Sequence, residues 1–382
     1  MNKKDLSAPE GSLHLVIVSG EVSGEMHAAS LIRELKKMHP KIKFSGIGGD
    51  RMMAEGFHPL FHIRQMAFLG LGEVIRHLPF IQKVFRVLLA HIRQVKPRAV
   101  ILVDYPGFNL RLAKKVKRLG IPVIYYISPQ LWAWGKRRVK IIKKYVDRML
   151  VLFPFEVEFY ARHVLRAEYV GHPLVDIYQN HVEPKIFNPS GEKVLGLLPG
   201  SRMQELQKLL PDMAATCNIL WQKKLIDRVL IACVDHIPDP VYARYLGKEN
   251  YFVLYRGNLD GFYNQLDVAL VSSGTATLET AYFRVPMVIV YRVHQLTWSL
   301  GKLLVRLDRI GLANIVAQEK VADELLQDDF QPDKAAVLLA GLLQKDINSK
   351  MREKLRIIQE KLGKPGASRK AAENIIEFIG KI

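Results

Sequence analysis

Short apolar runs alternate with amphipathic segments along most of this chain, and they do so twice, with an interruption between. Residues 13–19, 44–47, 99–103, 123–127 and 149–153 are rich in Val, Ile and Leu and read as buried strands. Between them, residues 25–38, 80–95 and 110–119 carry apolar side chains at helical spacing. A strand, a helix and a strand in succession imply parallel pairing, because a parallel neighbour needs a long crossover. The stretch 178–192 breaks the rhythm with Asn180, Pro184, Asn188, Pro189 and Gly191. Beyond it, strands are expected at 194–198, 229–234, 251–254, 268–271 and 287–291, and helices at 204–225, 259–265, 275–283 and 296–304. From 334 to 382 the pattern is helical. The expectation is an α/β chain of two Rossmann-like, doubly wound domains facing a cleft, residues 1–185 and 186–345. C-terminal helices over 346–382 would pack back on the first domain or on a partner subunit.

A chain of 382 residues suits two domains. Cys217 and Cys233 have neither metal-binding nor redox spacing, which fits a reducing compartment better than a disulfide scaffold. Residues 1–11 are polar and lack the apolar stretch of a signal peptide. No apolar run is long enough to span a bilayer, and no DxD, HxH or paired CxxC pattern indicates a metal site. The net charge of +19 draws such a protein to polyanions. Twelve Lys or Arg lie between Arg111 and Arg148 against one acid, Asp147. They interleave with Leu112, Val116, Leu119, Val139, Ile142 and Val146, which describes helices with a buried stripe and a cationic outer face. Such a face is either a solvated surface or, given its one-sided excess, a place for an anionic partner.

The first strand runs into Ser19-Gly20-Glu21-Val22-Ser23-Gly24-Glu25 as a helix opens. Glycines admit a ligand close to the backbone, while the carboxylates of Glu21 and Glu25 would repel a phosphate and suit sugar hydroxyls. The plainer reading is a cap, with Ser23 as N-cap and acids in the first turn. Asp104 ends a buried strand, where a carboxylate serves as a general base or caps the next helix. After the strand at 123–127 comes Ser128-Pro129-Gln130-Leu131-Trp132-Ala133-Trp134, either a ligand-facing loop or an aromatic clasp.

In the second half, Pro199-Gly200-Ser201-Arg202 joins a strand to a helix with a glycine turn, a hydroxyl and a guanidinium, a combination suited to a diphosphate. Ser272-Ser273-Gly274-Thr275 repeats the design at another strand–helix junction, and Glu279, one turn on, can accept from ribose hydroxyls. Two such junctions in one domain point to a nucleotide diphosphate. His172, between Gly171 and Pro173, reads as structural. The very apolar segment 66–95 includes Phe68, Leu69, Leu71 and Val74, interrupted by Arg76, Lys83, Arg86 and Arg93. Part of it is core, and the rest has the make-up of a surface that meets lipid.

Taken in order, these pieces resemble the lipid-A-disaccharide synthases, inverting glycosyltransferases of the GT-B fold. The matching segments are SGEVSGEMHAASLI from Ser19, GIGGDRMMAEGF from Gly46, and VDYPGFNLRLAKKVKRLGIPVIYYISPQLWAW from Val103. FPFEVEFY follows from Phe153, YVGHPLVD from Tyr169 and LLPGSRMQEL from Leu197. SSGTATLETAYFRVPMVIVYRV from Ser272 and ANIVAQEKVADELLQDD from Ala313 complete the set. Departures are Glu25 and Gly107, where the family usually has Asp, Gly135, where it has Arg, and Ala313, where it has Pro.

The resemblance implies condensation of UDP-2,3-diacylglucosamine with 2,3-diacylglucosamine 1-phosphate to a lipid A disaccharide 1-phosphate and UDP. Asp104 would be the catalytic base. Gly200, Ser201, Arg202, Gly257, Ser273, Gly274, Thr275, Glu279 and Asn314 would bind the UDP donor. Glu21, Ser23, Gly24, Glu25, Asn109, Gln130 and Trp132 would meet the acceptor sugar, and Phe68, Leu69, Leu71 and Val74 acyl chains or membrane. No cofactor, metal or nucleic acid is implied. The expected place is the anionic inner face of a bacterial inner membrane, peripheral and cytoplasmic, with a homodimer permitted. Two alternatives stand beside it: a UDP-N-acetylglucosamine 2-epimerase or other UDP-sugar enzyme of the same fold, and a non-enzymatic binder of anionic membranes.

Overall fold

The computed structural model describes residues 13–66, 78–129, 131, 136–178, 187, 191–247, 249–293 and 309–382. The chain forms two compact units, residues 1–177 with 362–382, and residues 178–361.

The first unit holds seven parallel strands: β1 (His14–Ser19), β2 (Lys43–Gly48), β3 (Phe57–His62), β4 (Ala99–Val103), β5 (Val123–Tyr126), β6 (Arg148–Val151) and β7 (Ala167–Tyr169). Their order across the sheet is β3-β2-β1-β4-β5-β6-β7. Its helices are α1 (Val22–Met38), α2 (Asp50–Ala54), α3 (Leu78–Val95), α4 (Pro106–Lys117), α5 (Lys136–Tyr145), α6 (Pro154–Ala161) and α7 (Pro173–Ile177). The strands are buried on both faces, which explains their unbroken apolar runs. Val16, Val18, Val100, Leu102, Val123 and Tyr125 share one cluster with Val84 and Leu88 of α3, Leu112 and Val116 of α4, and Val139 and Ile142 of α5. The alternate residues Leu15, Ile17, Ile101 and Ile124 are equally buried, as the two-residue period of a strand requires.

The second unit repeats the plan with six strands: β8 (Val194–Leu198), β9 (Arg228–Ala232), β10 (Phe252–Tyr255), β11 (Val268–Ser272), β12 (Met287–Tyr291) and β13 (Asp323–Leu326). They run parallel in the order β10-β9-β8-β11-β12-β13. Around them lie α8 (Met203–Gln222), α9 (Asp239–Leu246), α10 (Leu259–Tyr263), α11 (Thr275–Tyr282), α12 (Leu312–Ala317), α13 (Pro332–Leu342) and α14 (Lys345–Leu362). Arg352 of α14 is buried and donates to Asn348 Oδ1 and to the carbonyls of Arg284, Leu266 and Asp267. Burial lowers its guanidinium to about 10.

The helical tail divides between the units. α14 is held in the second, whereas α15 (Ala367–Gly380) packs on α1 of the first. The Asp176 carboxylate caps α15 by accepting from the backbone N–H of Gly366, Ala367 and Ser368. At the far end, Arg98 donates to the Ile379 carbonyl at 2.9 and 3.1 Å.

Three strands are absent from the sequence expectation: β3, β7 and β13, each at a sheet edge. An edge strand is covered on fewer sides and needs no continuous apolar run, so His58, Pro59, Glu168, Asp323 and Glu324 are tolerated there. The helices α2, α6, α7, α9 and α12 are absent from that expectation as well. The helix expected at 296–304 lies outside the described residues. Among the described residues, no helix is long and apolar enough to cross a membrane.

Candidate active site

Both sheets reverse strand order at one point, between β1 and β4 in the first unit and between β8 and β11 in the second. Loops leaving the carboxyl ends of such a pair diverge to opposite faces and open a crevice, where open α/β sheets take ligands. Most of the described sequence candidates sit at one of these two points.

In the first unit, β1 ends at Ser19 and the helix begins three residues later, with Glu21 as an extended N-cap residue. The expectation of Ser23 as cap is thus corrected: Ser23 lies inside the first turn, and the Glu21 carbonyl accepts from Glu25 N at 2.9 Å. Gly24 makes this early start possible, since a Cβ there would meet Ser19 Oγ at 2.8 Å. Glu25 is buried, and its Oε1 accepts from Arg51 N at 2.8 Å at the start of α2, so this carboxylate braces the loop after β2. Glu21 and Ser23 remain partly exposed.

Beside them, Asp104 and Tyr105 leave β4 with φ of 44° and 47°, two consecutive non-glycine residues in the left-handed region. The Tyr105 ring is seated on Gly20, where any Cβ would overlap it, and stacks on Phe108 with centroids 6.0 Å apart. Pro106 then starts α4. Asn109, expected on the acceptor, is fully buried instead. Its Nδ2 donates to the carbonyls of Asp104 at 2.8 Å, Val103 at 3.2 Å and Val18 at 3.4 Å, tying β1 to β4 at the switch point. Tyr125 Oη adds a second donor to the Asp104 carbonyl at 2.7 Å. Burial, and then the Asp104 carboxylate, push the Tyr125 phenol well above its ordinary value, so it remains a donor. Asp104 itself is half-buried. Gln130, Trp132, Phe68, Leu69, Leu71 and Val74 lie outside the described residues.

In the second unit, Gly200 follows β8 with φ of 107°, against the Glu205 carboxylate. Ser201 is exposed, and Arg202 precedes α8 as its N-cap residue, with Nη1 3.1 Å from Glu205 Oε1. At the end of β11, Ser273 Oγ donates to the Ile310 carbonyl at 3.2 Å, and Thr277 Oγ1 accepts from Ala313 N at 3.3 Å. These bonds dock the start of α12 against Gly274 and Thr275, both partly exposed. A proline at Ala313 would lack that N–H.

Glu279 is 8% exposed, and its Oε2 accepts from Tyr263 Oη at 3.1 Å, a partner the sequence did not indicate. Asn314 is a second correction. It is 1% exposed, its Nδ2 donates to the Ala322 carbonyl and Glu324 Oε1, and its Oδ1 accepts from Val321 N and Ala322 N. With donor and acceptor groups both engaged inside the fold, it shapes the corner rather than reaching from it. Gly257 is exposed beyond β10, the edge strand two places from β8, apart from the rest.

Two doubly wound units of the same strand order, each with ligand-suited side chains at its switch point, have the architecture of the GT-B fold. Solved structures of that fold align over nearly the whole chain. S. aureus MnaA with UDP does so with TM-score 0.65 and 11% identity over 97% of this chain and 98% of its own. Acinetobacter baumannii MurG follows with TM-score 0.57 and 16% identity over 97% and 100%. At such identities the likeness shows the fold alone. Sequence relatives decide further. A family model described as Lipid-A-disaccharide synthetase matches residues 15–377, and the chain belongs to that family. The lipid-A-disaccharide synthase of Nitrosococcus oceani is 41% identical over 97% of this chain and 97% of its own length. That of Geobacter sulfurreducens is 39% identical over 97% and 98%. The epimerase and non-enzymatic readings give way to this membership; solved UDP-N-acetylglucosamine 2-epimerases share the fold at 10–13% identity only.

Proposed function

We propose that the protein joins UDP-2,3-diacylglucosamine to 2,3-diacylglucosamine 1-phosphate. The acceptor 6-hydroxyl oxygen attacks C1 of the donor sugar, the bond from C1 to the diphosphate breaks, and UDP departs with that electron pair. Asp104 takes the hydroxyl proton, and inversion at C1 gives the β-1,6-linked disaccharide 1-phosphate. Arg202, the Ser201 hydroxyl and the backbone N–H groups opening α8 and α11 stabilise the negative charge growing on the diphosphate. Glu279, oriented by Tyr263, accepts from ribose hydroxyls. Glu21 and Ser23 meet the acceptor sugar, whose hydroxyls a carboxylate binds well.

The observation that carries this reading is the division of charge. In a chain of this family, one switch point holds Glu21, Glu25 and Asp104, and the other a guanidinium, paired with Glu205, beside a left-handed glycine, with Glu279 in the helix after β11. A proton acceptor belongs at the first and a phosphate at the second.

The same reading places the protein on the inner face of the bacterial inner membrane as a peripheral enzyme. Support comes from α4 and α5, neighbours on one face of the first sheet. Arg111, Lys114, Lys115, Arg118, Lys140, Lys143 and Lys144 are all exposed there, and the single acid, Asp147, pairs with Lys117. On α3, exposed Leu78 and Val87 stand among Lys83, Arg86 and Arg93. Cations around apolar side chains suit a surface of anionic lipid.

The direct test supplies both acylated substrates in detergent micelles and follows UDP and disaccharide together. Coupled appearance of the two is expected. UDP release without disaccharide would remove the acceptor assignment, and neither product from folded protein would remove the reaction.

A further inference from the structure

Asp104 and Tyr105 are held in a conformation that costs each about 1–3 kcal/mol relative to ordinary backbone. Left-handed residues in a row are uncommon outside glycine, and both fall at the carboxyl end of a central strand. Something must hold them. The Asp104 carbonyl oxygen accepts from Tyr125 Oη at 2.7 Å and from Asn109 Nδ2 at 2.8 Å, so both of its lone pairs are engaged by side chains from β5 and α4. A carbonyl fixed from two directions sets the peptide plane, and the peptide plane sets where the Asp104 side chain leaves the chain.

We propose that Tyr125 and Asn109 are positioning residues that clamp the Asp104 backbone in its left-handed turn and so aim its carboxylate at the acceptor. The inference rests on the reading of Asp104 as the base. Neither residue touches substrate in this account. Asn109 is fully buried, and Tyr125 lies within the strand, below the loop that follows. The adjacent Tyr126 points to the opposite face of the sheet and is equally buried, with its hydroxyl beside Ser368 and Asp176 instead of Asp104. Of these two neighbouring buried tyrosines, Tyr125 is the one whose hydroxyl donates to the Asp104 carbonyl.

The test is a pair of single-atom deletions in the full-length protein, Tyr125→Phe and Tyr126→Phe, each also made together with Asp104→Asn. Both keep ring volume and burial, so the fold is expected to stand. Tyr125→Phe should lower kcat by ~10–100-fold, the scale of a misaimed catalytic group, with KM and UDP affinity held. Tyr126→Phe should leave kcat where it is. In the Asp104→Asn background, Tyr125→Phe should cause no further loss, because the group it aims is gone. Unchanged kcat in Tyr125→Phe would overturn the proposal. So would an equal fractional loss in both backgrounds, which marks a general structural effect. Full turnover in Asp104→Asn alone would remove the base assignment itself and the positioning role with it, whatever Tyr125→Phe does.

Discussion

At the carboxyl ends of β1 and β4 the chain places Glu21, Glu25 and Asp104, whereas at the corresponding ends of β8 and β11 it places Arg202, paired with Glu205, among serines, a threonine and two glycines, with Glu279 a turn further on. The strand order at both points is the same. The backbone strategies differ as well. In the second unit the positive-φ positions at the switch point are Gly200 and Gly274, with φ of 107° and 155°, which glycine adopts without penalty. In the first, left-handed backbone falls on Asp104 and Tyr105, and bonds from Asn109 and Tyr125 and the seat of Tyr105 on Gly20 offset its cost. A phosphate site needs bare N–H groups, and glycine supplies them. In the proposed reaction a base needs its carboxylate in one place, and the clamp proposed for Asp104 would supply that. On this reading one fold, used twice, would serve two chemistries through the residues of two short loops.

The largest effect that would sharpen this contrast is at Asp104. Asp104→Asn should reduce turnover by about 10²–10⁴-fold, the usual worth of a general base, while UDP binding measured by calorimetry stays as it was. Parallel loss of UDP affinity would break the division of labour. The reciprocal change, Arg202→Ala, should weaken UDP about tenfold to a hundredfold, as removal of a charged hydrogen-bonding partner does. Unchanged UDP affinity there would take the phosphate away from this corner.

A third difference lies deeper. In the first unit, burial holds the His27 imidazole down to about 4 and His172 well below its ordinary value, the Asp176 carboxylate opposing the fall for His27. Their rings meet edge to face, with centroids 5.7 Å apart. The unfolded chain binds protons on these rings near pH 6.5 and the folded chain does not. Stability is therefore full above that pH and is lost as pH falls toward 4. Going from pH 7 to pH 5 should cost the first unit on the order of 2 kcal/mol through His27 alone. The described histidine of the second unit, His236, is exposed. Hydrogen exchange of α1 and α8 amides, corrected for intrinsic rates, should show protection falling in α1 only, and His27→Leu should flatten that fall. Equal loss in both helices would erase the distinction.

The smallest effect concerns Gly107, second residue of α4, exposed and with nothing within 4 Å of a Cβ built there. Gly107→Asp should stabilise the helix start by about 0.5–1 kcal/mol, through lost backbone freedom in the unfolded chain and the helix dipole. It would also add a carboxylate to the acidic corner. A rise in melting temperature with unchanged UDP affinity is expected, and a fall would mean that α4 needs the glycine.

Much of this was legible beforehand because it is local. The strands at 99–103, 194–198 and 287–291 match their expected limits, since a strand buried on both faces must be apolar throughout. The glycine-bearing junctions were legible because steric freedom is a property of the residue. Three of the four edge strands were not, for half their surroundings are solvent. Nor were the fates of Glu25, Asn109 and Asn314. A polar side chain beside a loop reads the same whether it faces a ligand or fills a backbone gap, and only the burial of its partners distinguishes the two.

The sequence by itself determined the α/β rhythm, the restart after the linker, the basic excess and, through its motifs, the family. Each depends on residue type and spacing along the chain. Tertiary structure alone decided that β1 lies beside β4 and β8 beside β11, that Tyr125 reaches from β5 to Asp104 at the end of the neighbouring β4, and that α15 is capped by Asp176, 190 or more residues earlier. Those contacts join residues far apart in the chain. Their energy comes from burial and from hydrogen bonds made once water is excluded, and neither exists until the sheets have formed.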